Sequence, residues 1–436
     1  MLPKFLPEIK TENLLESRIE ISRSAFNHNL NLIKNYAKSN DINYDINNQE
    51  DKNTIDDHNC QIIPVIKANA YGHGANLISD LLLEIGVNKI AVAYINEAIE
   101  LRNYGFKDDI LVLVPIFANK LKLALEYNLE ITIQNFKELD LLESELEKLS
   151  KKIKVHLFLD TGMHRDGFQF QYWENAANRL LDSKYLQFSG IMSHFAASES
   201  KVDFTYSQRD KLIDFIDYLV DKNKDFKRLI NNGNITIHLS NSLGIFNRLM
   251  NNEQIKLNLN SANLLDNHIK FAVRPGISLH GVLSDNSKAE EVKLIPTLSL
   301  KSNVIDIKFL KKGETAGYSF RYIADNDHFI AIVPIGYADG YCFGLGNKAE
   351  VLIKGKRFRV IGSVCMDQII VNLEHNSKKV SIGDEVVLIG SQDYIDKEGN
   401  TSSNNISVYE IADLMNTIPY EIFTGLSSRL NRIIVK

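Results

Sequence analysis

The run Pro64-Val65-Ile66-Lys67 ends an apolar stretch on an amine and breaks at once into Ala68-Asn69-Ala70-Tyr71-Gly72-His73-Gly74, which reads as a loop. A lysine in that place either snorkels into water, the commoner fate, or is held for chemistry, and the chemistry open to it is imine formation with a carbonyl compound. Other reactive side chains stand at comparable breaks. Asp160-Thr161-Gly162-Met163-His164-Arg165 follows one apolar run, Ser193-His194 ends the next, Ser240-Asn241-Ser242 ends a third, and Arg274-Pro275-Gly276-Ile277 lies in a fourth. A guanidinium between Val273 and Pro275 in an apolar strand needs acceptors, so Arg274 is expected to have fixed partners.

Eight apolar runs must position these groups: Ile62 to Lys67, Lys89 to Tyr94, Ile110 to Val114, Glu130 to Ile133, Ile153 to Asp160, Leu186 to His194, Ile235 to Ser240 and Phe271 to His280. Amphipathic stretches such as Phe136 to Leu149 and Tyr206 to Val220 separate most of them. Eight strand-helix units predict an α/β protein with a (β/α)8 TIM barrel over residues 24–284, whose chemistry sits at the C-terminal ends of the strands. Within it, the Asn- and Asp-rich residues 39–61 lack apolar periodicity and read as a mobile insertion. From residue 285 to 436 short alternating segments separated by turns predict a mostly β C-terminal domain, with one helix at Val408 to Met415. Residues 1–23, which include the strand-like Ile19-Glu20-Ile21, are expected to pack with that second domain.

Composition narrows the partners. The 436 residues are 44% hydrophobic and 24% charged, with a formal net charge of -5. That balance argues against nucleic acid or an anionic membrane as a partner and favours a small-molecule substrate. Cys60, Cys342 and Cys365 are too scattered for a disulfide framework or a zinc site, so no metal is expected. Charges interleave the leucines of the first 18 residues, and no apolar stretch approaches the roughly 20 residues of a membrane helix. The expected location is cytoplasmic. Neither a P-loop nor a GxGxxG motif is found.

Pyridoxal 5'-phosphate is the aldehyde cofactor that these groups suit best. It needs an imine-forming amine, donors for a phosphate and a partner for its pyridine nitrogen. Loops after the seventh and eighth strands of such barrels commonly hold a phosphate, and Ser242 with the backbone of Gly276 and Ile277 lies there, next to Arg274.

With these motifs in hand, the chain resembles the alanine racemases, a family of fold-type III pyridoxal phosphate enzymes, over essentially its whole length. The resemblance rests on the Lys67 segment, Asp160-Thr161-Gly162-Met163 with Arg165 and Gly167, Ser193-His194-Phe195-Ala196, Asn241-Ser242 and Arg274-Pro275-Gly276-Ile277. It continues through Gly317-Tyr318, Pro334-Ile335-Gly336-Tyr337-Ala338-Asp339-Gly340-Tyr341 and Cys365-Met366-Asp367-Gln368. It implies that Lys67 holds the cofactor and acts as one catalytic base, with Tyr318 as the other. The family is a head-to-tail homodimer, so Tyr318, Met366 and Asp367 are expected at the barrel mouth of the partner chain. Arg165 and the Met366 backbone would contact the substrate, His194 would lie near the cofactor ring and bond to Arg274, and Tyr71, Ser242, Gly276, Ile277 and Tyr420 would surround the phosphate. Tyr337 and Tyr420 resemble residues that narrow the entrance. The implied reaction is interconversion of L- and D-alanine, which supplies D-alanine for peptidoglycan.

Two bases make physical sense. Racemisation removes a proton from one face of the α-carbon and returns it on the other, and two groups on opposite faces do this without crossing the plane. Lys and Tyr ordinarily titrate near 10.4 and 10, so burial and nearby cations must bring them down. One departure stands out: the family often has a carbamylated lysine two residues before the Asp of Asp-Thr-Gly-Met, and here that position is Phe158. A pyridoxal phosphate carrier protein and a fold-type III decarboxylase remain as alternatives. Tyr318 and Met366 count against the carrier, and Gly336-Tyr337-Ala338-Asp339-Gly340 with Cys365-Met366-Asp367 favour the racemase over the decarboxylase.

Overall fold

The computed structural model describes residues 17–38, 60–198, 200–247, 270–376, 379–396 and 398–436. The chain divides into two compact units. One comprises residues 27–70 and 75–295, and the other residues 1–26, 71–74 and 296–436. Strand β1 (Arg18–Ser22) belongs to the second unit.

The first unit is a parallel sheet of eight strands: β2 (Cys60–Ile62), β3 (Lys89–Val92), β4 (Asp109–Val112), β5 (Glu130–Ile133), β6 (Ile153–Phe158), β7 (Leu186–Met192), β8 (Thr236–His238) and β9 (Lys270–Val273). The order β2-β9-β8-β7-β6-β5-β4-β3 follows the chain around a circle. A Val65 to Ala91 bridge closes it, with Ile66 N donating to Ala91 O at 2.9 Å and Ala91 N to Pro64 O at 2.8 Å. Ile63, Val65, Ala91, Leu111 and Ala272 form one cluster of the barrel's core. Outside, helix Phe136–Leu149 shows how the crossovers form. Asn135 caps it by accepting from Glu138 N, and Leu139, Leu142 and Leu146, at three- and four-residue spacing, are buried. Each such leucine contributes about 1.5–3 kcal/mol of burial.

The eight expected runs become the eight strands, most of them shorter than expected, and the differences are largest in the first and the last. The first run does not stay extended to Lys67. Its ladder passes from β2 to Val65 alone, and Ala68, Asn69, Ala70 and Tyr71 then turn left-handed with φ between 51 and 54°. The last run is a strand only to Val273, because Pro275 has no N–H to give a ladder and Gly276 (φ −122°, ψ −95°) turns the chain into a 3-10 turn at Ile277–His280. Arg274 therefore follows its strand rather than lying within it. Of the insertion read at 39–61, residues 39–59 lie outside the described residues, whereas Cys60 and Gln61 belong to β2.

The second unit is a ten-stranded sheet built from β1 with β10 (Leu298–Asn303), β11 (Asp306–Leu310), β12 (His328–Val333), β13 (Glu350–Ile353), β14 (Lys356–Ile361), β15 (Ile369–Glu374), β16 (Glu385–Ile395), β17 (Thr401–Ile406) and β18 (Asn431–Val435). β1 runs antiparallel to β10 and parallel to β18. The expected helix at Val408–Met415 is present, followed by a second at Pro419–Thr424.

Candidate active site

Lys67 stands half-buried where the first strand gives way to its left-handed turn. Three successive non-glycine residues in that conformation, Ala68, Asn69 and Ala70, cost roughly 1–2 kcal/mol each, so side chains must hold the turn. Asn69 Oδ1 accepts from Ala75 N at 2.8 Å, and Glu97 Oε1 accepts from Ala68 N at 2.6 Å. The Lys67 amine is pushed below the ordinary lysine range, first by burial and then by the charges of Arg165 and Arg274, against the opposing pull of Glu97 and Asp166.

Arg274 is buried and fully engaged. One guanidinium nitrogen donates to His238 Nδ1 at 2.5 Å and to His238 O at 2.8 Å, and the other to Ser193 O at 2.6 Å. His194 Nδ1 is a more distant acceptor at 3.4 Å. The principal imidazole partner of Arg274 is thus His238, which the sequence reading did not single out. Because an arginine only donates, His238 Nδ1 must accept and its Nε2 must carry the proton. That Nε2 is 2.8 Å from His156 Nδ1, and His156 Nε2 is 2.9 Å from Glu130 Oε2, where Lys89 Nζ also donates at 2.5 Å. Donors run one way from the mouth into the core: Arg274, His238, His156, Glu130. The intervening imidazoles are neutral, since burial and then, for His238, the Arg274 charge push their pKa values down. Burial works against ionisation of Glu130, but His156 and Lys89 outweigh it and hold the carboxyl well below its usual range. Burial brings Arg274 down to about 9, still protonated at neutral pH. Gly190 makes room for this chain, because a Cβ there would lie 2.2 Å from His156 Nδ1.

Around them the loops after β6 and β7 are tied together. Gln208 donates to Thr161 Oγ1 and to His194 O, both at 3.1 Å, and accepts from Ala196 N at 2.9 Å, while Thr161 and Ser193 share a hydroxyl bond of 2.8 Å. Asp160 accepts from Gly162 N and His164 N, which with the His164 ring hold its pKa low despite burial. Arg165 is exposed and pairs with Asp166 at 2.8 Å. Phe158 is buried, so the charge beside this arginine comes from its sequence neighbour. His194, pushed down to about 3 by burial and then by Arg274, Arg165 and Lys67, is a neutral imidazole.

The expected phosphate residues Ser242, Gly276 and Ile277 are buried in the same unit. Gly276 N, Ser278 N and Ser278 Oγ all point at Ser242 Oγ, at 3.0, 3.3 and 3.0 Å. Three donors aimed at one hydroxyl oxygen form a donor-rich corner that suits an anion. With an amine of lowered pKa and a fixed guanidinium, the groups present fit pyridoxal phosphate.

The other candidate residues belong to the second unit. Tyr71 and Tyr420 meet edge to face with ring centroids 6.1 Å apart. Tyr318 is 70% exposed and starts a turn in which Gly317 (φ 75°) and Ser319 (φ 61°) are left-handed. Met366 and Tyr337 are exposed at 53% and 44%. The loops that carry them are joined by backbone bonds from Tyr337 N to Cys365 O and Ala338 N to Met366 O, both 3.0 Å. Gly336 permits this approach, because a Cβ would lie 2.3 Å from Cys365 O and from Met366 O. Asp367 pairs with Arg429 at 2.9 Å. Glu97, Glu130, His156, His238 and Gln208 escaped sequence reading as parts of the site. The signal available for His238 and His156 was a histidine at an inward position of an apolar strand.

Solved structures of this architecture include amino-acid racemases. The alanine racemase of Bacillus anthracis with bound L-Ala-P superposes with a TM-score of 0.77 at 28% identity, covering 97% of this chain and 95% of that one. A histidine racemase of Leuconostoc mesenteroides does so at 0.74 and 25% identity, covering 97% and 98%. In sequence, residues 43–284 match the N-terminal domain of alanine racemase and residues 297–434 its C-terminal domain. The alanine racemase of Carboxydothermus hydrogenoformans is 35% identical over 379 residues, 86% of this chain and 93% of its own length. This chain belongs to the alanine racemase family.

Proposed function

We propose that the protein interconverts L- and D-alanine by a two-base mechanism with pyridoxal phosphate, providing D-alanine for peptidoglycan from the cytoplasm. The observation that carries this reading is the Lys67 amine, lowered in pKa at the end of the first barrel strand within the field of Arg165 and Arg274. When bound, pyridoxal phosphate supplies the electron-withdrawing ring that acidifies the α-proton of an amino acid. Lys67 would tether it, Arg274 would face the ring nitrogen, and Ser242, Gly276 and Ile277 would hold its phosphate.

In this reading Lys67 Nζ takes or returns the α-proton on one face, which requires the neutral amine that burial favours. The phenol of the partner subunit's Tyr318 does the same on the other. Arg165 receives the substrate carboxylate beside the Met366 backbone of the partner, and the partner's Tyr337 and Asp367 shape the entrance. His194, a neutral imidazole, would lie beside the ring. Arg274 keeps its own proton at neutral pH, so it would face a bound ring as a donor with no proton to give up. A second copy is supported by exposed apolar surface on each unit: Tyr318, Phe320 and Met366 on the β unit, and a groove on the barrel unit lined by Tyr94, Val114, Ile116, Phe117 and Leu141. Among the described residues no helix is long and apolar enough to cross a membrane.

The test is loss of optical activity together with α-proton exchange for L- and D-alanine in deuterated water. Exchange of both enantiomers is expected; cofactor binding without exchange of either refutes the reading and leaves a carrier protein. Histidine belongs in the same assay.

A further inference from the structure

The left-handed turn after Lys67 is held at its start by one carboxylate. Glu97, in the first turn of helix Ile95–Tyr104, accepts from Ala68 N through Oε1 at 2.6 Å and from Ala93 N and Tyr94 N through Oε2 at 2.8 and 2.9 Å. Three backbone donors from two neighbouring strand ends therefore meet on one side chain. Glu138 provides an internal comparison, because it occupies the same place in helix Phe136–Leu149 and accepts from Gln134 N at 3.1 Å. Its Oε1 has no partner among the described residues, so it caps its helix and fastens no neighbouring loop. What distinguishes Glu97 is the arm to Ala68, the residue joined to the lysine.

We propose that Glu97 is a positioning residue for Lys67: by pinning the Ala68 N–H to the end of β3 it fixes the backbone from which the lysine side chain leaves, and with it the direction of the amine. The inference rests on the reading of Lys67 as the cofactor lysine and goes beyond it. Ala68 and Asn69 are exposed whereas Ala70 and Tyr71 are buried, so it is the start of the turn, next to the lysine, that has little packing to stand in for this arm once it is cut. Glu97 also faces the amine as a charge, in company with Asp166 and against Arg165 and Arg274. It opposes their lowering of the lysine pKa. Asp and Gln substitutions weight these two contributions differently, Asp keeping the charge and Gln the reach to Ala68.

The experiment compares native protein, Glu97→Asp, Glu97→Gln and Glu138→Gln. Borohydride reduction of native protein loaded with pyridoxal phosphate, followed by peptide mass analysis, first establishes whether Lys67 carries the cofactor; an unmodified Lys67 sinks the lysine assignment itself and this inference with it. Glu97→Asp keeps the charge but falls short of Ala68, so kcat is expected to drop by about 10- to 100-fold while the KM for alanine changes less than about 3-fold, as for a misplaced catalytic group. Glu97→Gln keeps the length and, with its one oxygen turned to Ala68 N, that arm, but it loses the charge and the bonds from Ala93 N and Tyr94 N, because an amide nitrogen only donates. Its cofactor-free form should take up pyridoxal phosphate with a pH profile displaced to lower pH, because the free amine becomes easier to deprotonate. Glu138→Gln should match native protein in both readouts. The inference is overturned if Glu97→Asp retains native kcat, if the uptake profile of Glu97→Gln superimposes on that of native protein, or if Glu138→Gln reproduces either change.

Discussion

Arg274 at the barrel mouth is buried and gives its donors to His238, Ser193 and their neighbours, whereas Tyr318 in the β unit stands 70% exposed on a left-handed turn. The two regions hold their candidate residues in opposite ways. Barrel groups are locked by a chain of buried partners that reaches Glu130 and Lys89, so their orientation is settled within one unit. The β-unit groups are joined through backbone, by Gly336 and the bonds between the 337 and 365 loops, but Tyr318 and Met366 have largely exposed side chains, Tyr337 only meets Phe343 edge to face, and Asp367 is tied to Arg429. A base that works on a cofactor needs a dry environment. An exposed tyrosine meets that need only when another surface arrives, and this is the physical argument for a site completed by a second copy.

Substitutions at the two regions should therefore fail differently. The largest effect is expected from Lys67→Ala, which removes the proposed tether and base: racemisation should fall by at least about 10³-fold, with loss of the visible absorbance of bound cofactor. Tyr318→Phe should reduce turnover of L-alanine by about 10²- to 10⁴-fold with cofactor uptake unchanged; normal turnover would remove Tyr318 from the mechanism. Mixing the two inactive variants after mild dissociation then tests sharing. Random reassortment gives half heterodimers, each with one intact site of two, so about a quarter of native activity should return. No recovery would place both bases in one chain.

Stability should show the reverse asymmetry. Glu130→Gln leaves the buried Lys89 without its counter-charge and is expected to cost about 3–5 kcal/mol in denaturant unfolding. Tyr318→Phe should lie within about 0.5 kcal/mol of native. If the tyrosine variant unfolds as readily as the glutamate one, the contrast between locked and open regions is wrong. The smallest effect concerns acid. Glu130 has a lowered folded pKa, so its stabilisation is complete above the unfolded carboxyl value of about 4.3 and is lost as pH falls below it. His156 and His238, also lowered, are neutral when folded, so acidification below about 6.5 favours the unfolded chain as well. The native denaturation midpoint should decline from about pH 6.5 downward through the histidines, and below about pH 4.3 it should fall more steeply than in Glu130→Gln.

Much of this was legible in the sequence, for reasons that differ by residue. The barrel followed from counting apolar runs, and Lys67 and Arg274 stood out because charged groups at such positions need justification. Glu130 did not, because as the first residue of a run it looks like a solvated strand end; only the fold places His156 and Lys89 against it. The link from His194 to Arg274 was implied by family resemblance, yet the guanidinium lies closer to His238, two residues before Ser240 on a neighbouring strand. Spacing along one strand cannot report which histidine a residue on another strand meets. The turn after Lys67 was read as a loop, but alanine and asparagine give no notice of a left-handed run that Glu97 enforces from 29 residues away. Nor does anything local reveal that residues 71–74 belong with the β unit.

The placement of β1 sets a timetable for synthesis. Its partners β10 and β18 begin at Leu298 and Asn431, so when the ribosome has made Ile19 and Ile21 neither neighbour exists. At ordinary translation rates the strand waits on the order of tens of seconds, with two apolar side chains and both edges bare, while the barrel is made behind it. The growing chain thus carries an adhesive unpaired segment that a chaperone or another nascent copy can capture. Moving residues 17–26 behind β18 through a short linker would abolish the wait, and with it this window for misassociation.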